Sequence, residues 1–366
     1  MLHPPAFLLA FALAVQAAGP EWTRFRGPNG TGVAETGPLP AEFGKEQNVV
    51  WRTPLAPGYA SPVIGNRCVF LTSYDGPKEG HSGWTHCLDR ATGKELWKQK
   101  GFTLDRRFLS VNTPVSATAV TDGGNVYVFF EAAGLISDGP GGQERWRRPL
   151  GRFNNPYAMA NSPILVDGLL VLQADQDTDA YLLALDAATG ETRWRRERPE
   201  AQHGYSTPVV WRLEGEAPQV IVSGSYQVAG FSVATGEKLW WVGGMAWQAK
   251  SVPVIAGKRL YVHSWMAELS ETAGQLPKNL PWAEFLSRHD RDDDGKVSKE
   301  ESPDPEMPKL WFLFDLDRTG FIEQRDYGVV QSRATARSGL FAIELGGRLF
   351  VRTQSAAYCF GLPQAQ

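Results

Sequence analysis

Short apolar runs recur along the chain, separated by polar turns: Val69-Phe-Leu-Thr72, Val126-Tyr-Val-Phe-Phe130, Leu169-Leu-Val-Leu172, Val220-Ile-Val222 and Leu260-Tyr-Val-His263. Runs this short, rich in β-branched and aromatic residues and bounded by Gly and Pro, read as strands. Two markers keep step with them at intervals of about 45 to 50 residues, the period expected of a repeat architecture. One is tryptophan, at Trp51, Trp97, Trp146, Trp194 and Trp240. The other is a proline pair that opens each unit: Ser61-Pro62, Thr113-Pro114, Ser162-Pro163, Thr207-Pro208 and Val252-Pro253. Before three of the tryptophans lies the same turn, Ala91-Thr-Gly93, Ala188-Thr-Gly190 and Ala234-Thr-Gly236. Its glycine supplies the positive φ of a tight hairpin, and Asp89 and Asp186 are placed to cap it. Each unit thus has four strands, the last ending in tryptophan. Four-stranded units without helices, repeated, predict an all-β fold, a β-propeller whose blades bury one face on the next and use the tryptophan as the docking residue. Five units and a remnant are visible.

The β pattern breaks once, over residues 267–336. There Pro281–His289 and Pro308–Phe314 carry helical spacing, and each leads into an acidic loop. The first, Asp290 to Glu301, matches a calcium loop of the EF-hand type. Oxygen donors fall at Asp290, Asp292, Asp294, the Lys296 carbonyl, Ser298 and Glu301, with Gly295 at the sharp turn. The second offers Asp315, Asp317, Thr319, the Phe321 carbonyl, Glu323 and Asp326, with Gly320 at the turn. Asp326 stands where a longer glutamate would close the site, so the second site is expected to bind more weakly. Val297 and Ile322 are placed to bridge the loops. The predicted organisation is a signal peptide over residues 1–18, a propeller over 19–266, a small α-helical EF-hand pair inserted at 267–336, and the propeller's end at 337–366. Both ends of an insertion between neighbouring strands lie close together, so a propeller tolerates one.

Composition narrows the partners. The 366 residues hold 37 Lys and Arg against 40 Asp and Glu, a net charge of -3. With charges interspersed and no basic cluster, nucleic acid and anionic membrane surfaces are not expected. Ala6 to Val15 is an apolar run too short to span a bilayer, and Val15-Gln-Ala17 gives a small-residue cleavage pattern. The chain is therefore expected to be exported, periplasmic or extracellular, with no membrane span. Of three cysteines, Cys68 and Cys87 fall on consecutive strands. They are read as small buried hydrophobes, with a cross-strand bond as the alternative, and Cys359 is left over.

The pattern Leu-Asp-x-x-Thr-Gly-x-x-x-Trp, with the opening Trp22-Thr-Arg-Phe25-Arg26-Gly27-Pro28-Asn29-Gly30, resembles the pyrroloquinoline-quinone-like (quinoprotein) propeller repeat over residues 22–266 and 338–361. That family includes quinoprotein alcohol dehydrogenases and the outer-membrane assembly propeller lipoprotein, and the exported bacterial subgroup includes members with an inserted EF-hand pair. The resemblance implies seven or eight blades, and this chain shows fewer. A clasp is expected in which Val49–Thr53 pairs with the carboxy-terminal segment to complete the last blade, removing two sheet edges.

The resemblance also implies a quinone site with calcium on Glu and Asn side chains, an Asp base, a Trp floor and commonly a vicinal disulfide. This chain has no adjacent cysteines, and its repeat tryptophans are assigned to docking. Pyrroloquinoline quinone is therefore not expected, and calcium is the cofactor expected. No catalytic residue is assigned. Asp175, Asp177 and Asp179 read as a solvated polar turn. His81, His86 and His203 have no zinc spacing. Tyr59, Asn112, Asn161 and Tyr205 are placed to line the channel. The expected function is a noncatalytic binding or scaffold module with a protein or envelope ligand as partner. The alternatives are a quinone-dependent oxidoreductase and a degenerate propeller.

Overall fold

The computed structural model describes residues 22–34, 40–76, 80–104, 112–243, 245–264, 280–302, 307–308, 311, 314–335, 341–342, 348–352 and 357–361. Among them are four four-stranded antiparallel sheets, each formed by consecutive strands in meander order. Blade 1 comprises β1 (Val63–Ile64), β2 (Cys68–Asp75), β3 (His81–Asp89) and β4 (Glu95–Leu104). Blade 2 comprises β5 (Val120–Thr121), β6 (Val126–Phe130), β7 (Gly134–Asp138) and β8 (Glu144–Arg148). Blade 3 comprises β9 (Ile164–Val166), β10 (Leu169–Ala174), β11 (Tyr181–Asp186) and β12 (Thr192–Glu197). Blade 4 comprises β13 (Val209–Trp211), β14 (Gln219–Ser223), β15 (Gln227–Ser232) and β16 (Lys238–Gly243). The middle strands of blades 2, 3 and 4 are the apolar runs of the sequence and are almost wholly buried. The fourth strands, such as Glu144–Arg148, are charged and exposed. That gradient is what a sheet with a covered interior and a wet outer edge requires.

After blade 4, β17 (Val254–Ala256) pairs with β18 (Arg259–Tyr261), and β19 (His263–Ser264) follows. Then come α1 (Trp282–His289), β20 (Val297–Ser298), β21 (Phe321–Ile322) and α2 (Gln324–Thr335). The chain returns as β22 (Phe341–Ala342), which pairs antiparallel with β19, so the helical segment leaves and re-enters beside the same strand. A hairpin of β23 (Arg348–Arg352) and β24 (Ala357–Gly361) ends the described chain.

Tryptophan docking follows a rule between blades. Trp97 lies on Gly142 and donates to the Pro140 carbonyl at 3.0 Å. Trp146 lies on Gly190 and donates to the Ala187 carbonyl at 3.1 Å. Trp194 lies on Gly236 and donates to the Val233 carbonyl at 2.9 Å. Each indole therefore reads the turn of the following blade, whose glycine must be bare. At Gly236, with φ +69°, a Cβ would meet the Trp194 ring at 2.5 Å. Asp89 and Asp186 cap their turns as expected, each Oδ1 accepting two backbone N–H groups, which draw both carboxyls below their ordinary range, in Asp89 behind the Thr92 hydroxyl. Blade 2 departs from this. Its turn reads Gly139-Pro-Gly-Gly142, and the equivalent Asp138 is buried, pushed up to about 7 by burial and then by Glu144.

Trp240 does not follow the rule. It donates to Gln219 Oε1 at 2.6 Å, covers Gly230 and packs on Trp211, all within its own blade. The expected clasp is not formed either. Val49–Thr53 has no strand pairing, and Val50 is 88% exposed. Trp51 instead covers Gly93 and donates to the Arg90 carbonyl at 3.1 Å, while Thr53 Oγ1 donates to the Gly93 carbonyl at 2.6 Å. Trp51 thus docks on blade 1 just as Trp97 docks on blade 2, with side-chain contacts in place of a ladder.

The inner ends of the blades are joined by a hydroxyl series that corrects the unit boundaries. Ser61 N–H donates to Thr118 Oγ1 at 3.0 Å, Thr118 N–H to Ser162 Oγ at 3.0 Å, and Ser162 N–H to Thr207 Oγ1 at 3.2 Å. Blade 2 therefore opens at Thr118, two residues before β5, and the proline pair at Thr113-Pro114 belongs to the connector. A hydroxyl two residues before the first strand is the shared feature, and proline is not.

Cys68 and Cys87 form a disulfide, with Cα atoms 5.4 Å apart. The reading of both as plain buried hydrophobes is thereby corrected. They are diagonal neighbours, Cys68 opposite Asp89 and Cys87 opposite Phe70, within reach across an antiparallel pair. Closing a loop across 19 residues of sequence constrains the unfolded chain, and Cys68→Ala with Cys87→Ala is expected to cost about 3 kcal/mol in chemical denaturation. Equal midpoints for the variant and the oxidised parent would contradict this.

Candidate functional site

Connectors between blades and the loops joining second to third strands fall at one end of the antiparallel sheets, and the buried charges gather there. Asp175, expected on a solvated turn, is fully buried. Its carboxylate accepts from Arg198 Nε at 2.8 Å, Arg198 Nη2 at 3.1 Å and Gln173 Nε2 at 2.7 Å. Gln173 Nε2 also donates to the Ser223 carbonyl at 2.9 Å, tying blade 3 to blade 4. Asp177 is buried as well and holds His203 Nδ1 at 2.7 Å, while Asp179 alone of the three is exposed. The polar-turn reading fails because the partners, Arg198 and His203, come from the next connector, 23 and 26 residues on, a pairing no local spacing announces.

Around this pair the cluster is aromatic. Trp247 meets His203 edge-on at 4.7 Å, and Tyr157 and Tyr205 flank it. Tyr205 Oη donates to Asn155 Oδ1 at 2.8 Å, and its hydroxyl is pushed well above its ordinary range by burial and then by Asp177. Of the other expected channel residues, Asn112 donates to the Tyr157 carbonyl at 2.8 Å and Asn161 to the Ser206 carbonyl at 2.9 Å, each bridging neighbouring connectors. Tyr59 is exposed. His81 and His86 stand on β3 of blade 1, with His86 held by Ser73 at 2.7 Å and Glu95 at 2.6 Å. The histidines are therefore not brought together.

The helical segment carries its own core of Phe285, Val297, Met307, Trp311, Phe314, Ile322 and Tyr327. Val297 pairs with Ile322 and Ser298 with Phe321, so the two acidic loops stand side by side. They share one backbone course, with positive φ at Asp293 (59°) and Gly295 (84°) in the first and at Arg318 (64°) and Gly320 (95°) in the second. Asp290 accepts from Asp294 and Gly295 N–H, and Asp315 accepts in the same way from Thr319 and Gly320 N–H, at 2.9 to 3.2 Å. Carboxylate oxygens of Asp290, Asp292 and Asp294 lie within 4.8 Å of one another, as do those of Asp315, Asp317 and Asp326.

The two clusters differ in burial. In the first, Asp292 and Asp294 are exposed, and Glu301 is drawn down to about 2 by the N–H groups of Ser298 and Arg291. Its Oε2 also accepts from Ser298 Oγ at 2.8 Å. In the second, Asp315 and Asp326 are buried, and Asp326 is pushed up to about 7 by burial, with Asp317 and Asp315 adding to the rise. Asp317 Oδ1 is buried without a hydrogen-bond partner. Three crowded carboxylates with an orphaned oxygen fit a hard divalent cation, which takes oxygen donors and repays their desolvation. Thr319 N–H donates to Asp315 and Glu323 N–H to Asp326 in the second cluster, and Lys296 and Phe321 are the seventh residues of their loops. The segment Pro308–Phe314 lies only partly within the described residues. Among the described residues, Arg318 Nη2 joins this module to the propeller by donating to the carbonyl of Asn155, the residue whose side chain accepts from Tyr205.

A family profile described as Outer membrane protein assembly factor BamB matches residues 81–264. Among solved structures, BamB from Moraxella catarrhalis is 17% identical with a TM-score of 0.39, covering 60% of this chain and 61% of its own. The quinohemoprotein alcohol dehydrogenase ADHIIG from Pseudomonas putida HK5 is 15% identical with a TM-score of 0.40, covering 59% and 38%. That of Comamonas testosteroni is 14% identical with a TM-score of 0.40, covering 58% and 38%. The chain thus spans less than two thirds of the length of each. No curated protein matches it.

Proposed function

Because the chain belongs to the family described as Outer membrane protein assembly factor BamB, whose profile spans half of it, we propose that it is an exported, calcium-binding scaffold propeller that binds a protein or another envelope component. The observation that carries the calcium reading is the pair of adjoining acidic loops with one backbone course and the orphaned Asp317 oxygen between carboxylates. Asp290, Asp292, Asp294, the Lys296 carbonyl, Ser298 and Glu301 would hold one ion, and Asp315, Asp317, Thr319, the Phe321 carbonyl, Glu323 and Asp326 the other. These form an inserted EF-hand pair. A cation in each site removes the mutual repulsion of its carboxylates and fixes the loops against each other across the Val297 and Ile322 pair.

The scaffold reading rests on how the propeller spends its ionisable side chains. Among the described residues at the connector end, Asp175 is paired with Arg198 and Asp177 with His203, in buried contacts that join the loop between β10 and β11 to the connector after β12. Export is supported by the disulfide, which persists in oxidising compartments, and by the predicted signal at residues 1–18, which lies outside the described residues. No helix among the described residues is long and apolar enough to cross a membrane.

Thermal unfolding in calcium and in chelator tests the reading. An ion bound only by the native state adds about 2.7 kcal/mol at one hundred times its Kd, so calcium is expected to raise the unfolding midpoint and chelator to reverse the rise. Identical midpoints in the two conditions would contradict calcium binding. In Asp290→Asn with Asp315→Asn the rise is expected to disappear.

A further inference from the structure

The meander order leaves β1, β5 and β13 as the first strand of their sheets, each with one side unpaired by any strand. A buried backbone edge needs partners for its N–H and C=O groups. Residues 22–30 supply them for blades 1, 2 and 4. Ile64 N–H donates to the Trp22 carbonyl at 2.7 Å, and Thr121 N–H to the Thr23 carbonyl at 2.9 Å. Arg24 Nη2 donates to the Pro208 carbonyl at 2.5 Å. Asn29 then imitates a strand residue with its side chain. Its Oδ1 accepts from Val210 N–H at 2.8 Å, and its Nδ2 donates to the Val210 carbonyl at 2.7 Å. A primary amide carries the same donor and acceptor pair as a peptide group, so one side chain satisfies both backbone groups of Val210.

The segment is shaped for this place. Gly27 N–H donates to the Arg24 carbonyl and Gly32 N–H to the Arg26 carbonyl, and positive φ at Arg26, Gly27, Asn29 and Gly30 coils the chain tightly. At Gly30 a Cβ would stand 3.1 Å from Val209 and 3.2 Å from Val252, so the backbone lies directly on the first strand of blade 4 and on the chain two residues before β17. Arg24 is 6% exposed, and burial pushes its guanidinium down to about 10. A cation is desolvated at cost, and here the return is a strong bond to a carbonyl in the same dry place.

We propose that the free edges of β1, β5 and β13 together form a binding groove for a short, tightly coiled peptide, and that the chain fills it with its own residues 22–30, which tie blades 1, 2 and 4 from the inside. The groove reads backbone through Ile64, Thr121 and Val210, and it reads sequence through one carboxamide and one guanidinium. The tie replaces the missing strand clasp as the element that spans blades distant in sequence, since Asn29 and Val210 are 181 residues apart. It does not depend on the calcium reading.

Hydrogen exchange on the full chain, read at single amides, tests it. In Asn29→Ala, Val210 N–H loses its acceptor and is expected to exchange roughly tenfold faster, while amides of β11 keep the parent rate. Should that variant fail to fold, Asn29→Leu keeps the volume but removes both the acceptor and the donor, and an acceleration confined to blade 4's first strand and its neighbours is read in the same way. A synthetic peptide of residues 21–33, added to Asn29→Ala, is expected to restore the protection of Val210, and the same peptide with Asn29 replaced by Ala is not. Parent-like exchange at Val210 in the variants would overturn the groove, as would equal failure of both peptides to restore it.

Discussion

Arg198→Ala is expected to destabilise the propeller by about 3–5 kcal/mol, measured by chemical denaturation followed through tryptophan fluorescence. Both partners of the pair are buried, with side-chain exposures of 1% and 0%. Removing the guanidinium leaves the Asp175 carboxylate without its two strongest donors and with only Gln173. The cost comes from the orphaned charge more than from the lost attraction, because forming the pair already required both ions to leave water. A control separates these causes. Arg198→Met combined with Asp175→Leu removes both charges at similar volume and is expected to cost clearly less than the single change. A single variant as stable as the parent would mean that Asp175 finds water or another donor, and the buried network would not join blades 3 and 4 as described.

Trp194→Ala is expected to cost about 3–5 kcal/mol, from a lost aromatic contact and the cavity left on Gly236. The indole is 7% exposed and its N–H is spent on the Val233 carbonyl, so truncation empties the seam between blades 3 and 4 and strands that carbonyl. Gly236→Ala approaches the same seam from the other side. Its Cβ would lie 2.5 Å from the ring at a positive φ, and a loss of similar order is expected. Trp240→Ala provides the contrast, since its partners are in its own blade and its loss should leave the seam intact. Equal, small effects at Trp194 and Gly236 would contradict docking between blades.

These two residues mark what the sequence does and does not disclose. The strands and the Thr-Gly turns were legible because each is local: a period-two apolar run, a glycine at a fixed offset, an Asp two residues before its own backbone partners. Trp97, Trp146 and Trp194 were legible as a set because repetition puts the same residue in the same seam. Trp240 shares their spacing yet packs within its own blade, on Gln219, Gly230 and Trp211, and spacing is silent on that. The roles of Arg198 and His203 were missed because each buried pairing is made between a connector and the loop joining β10 to β11, and each partner alone looks like an ordinary polar loop residue. Asn29 was missed for a related reason: its opening motif pointed to a family, while its bond to Val210 is set by where the chain runs, 181 residues away. The cysteine bond was open in the sequence, and the register of β2 and β3 closes it by making Cys68 and Cys87 diagonal neighbours. The acidic clusters were legible because each is written in one short stretch of sequence, and the structure brings Asp290, Asp292 and Asp294 together, as it does Asp315, Asp317 and Asp326.

Calorimetric titration of the full chain with calcium tests the central claim most directly. Two ions per chain are expected, the tighter in the loop from Asp290 to Glu301 and the weaker in the loop closed by Asp326, with Glu301→Gln losing the tighter one and keeping the other. Glu301→Gln binding calcium with the parent's affinity and stoichiometry, or a parent chain that gives no binding heat under any condition in which it is folded, would contradict the account.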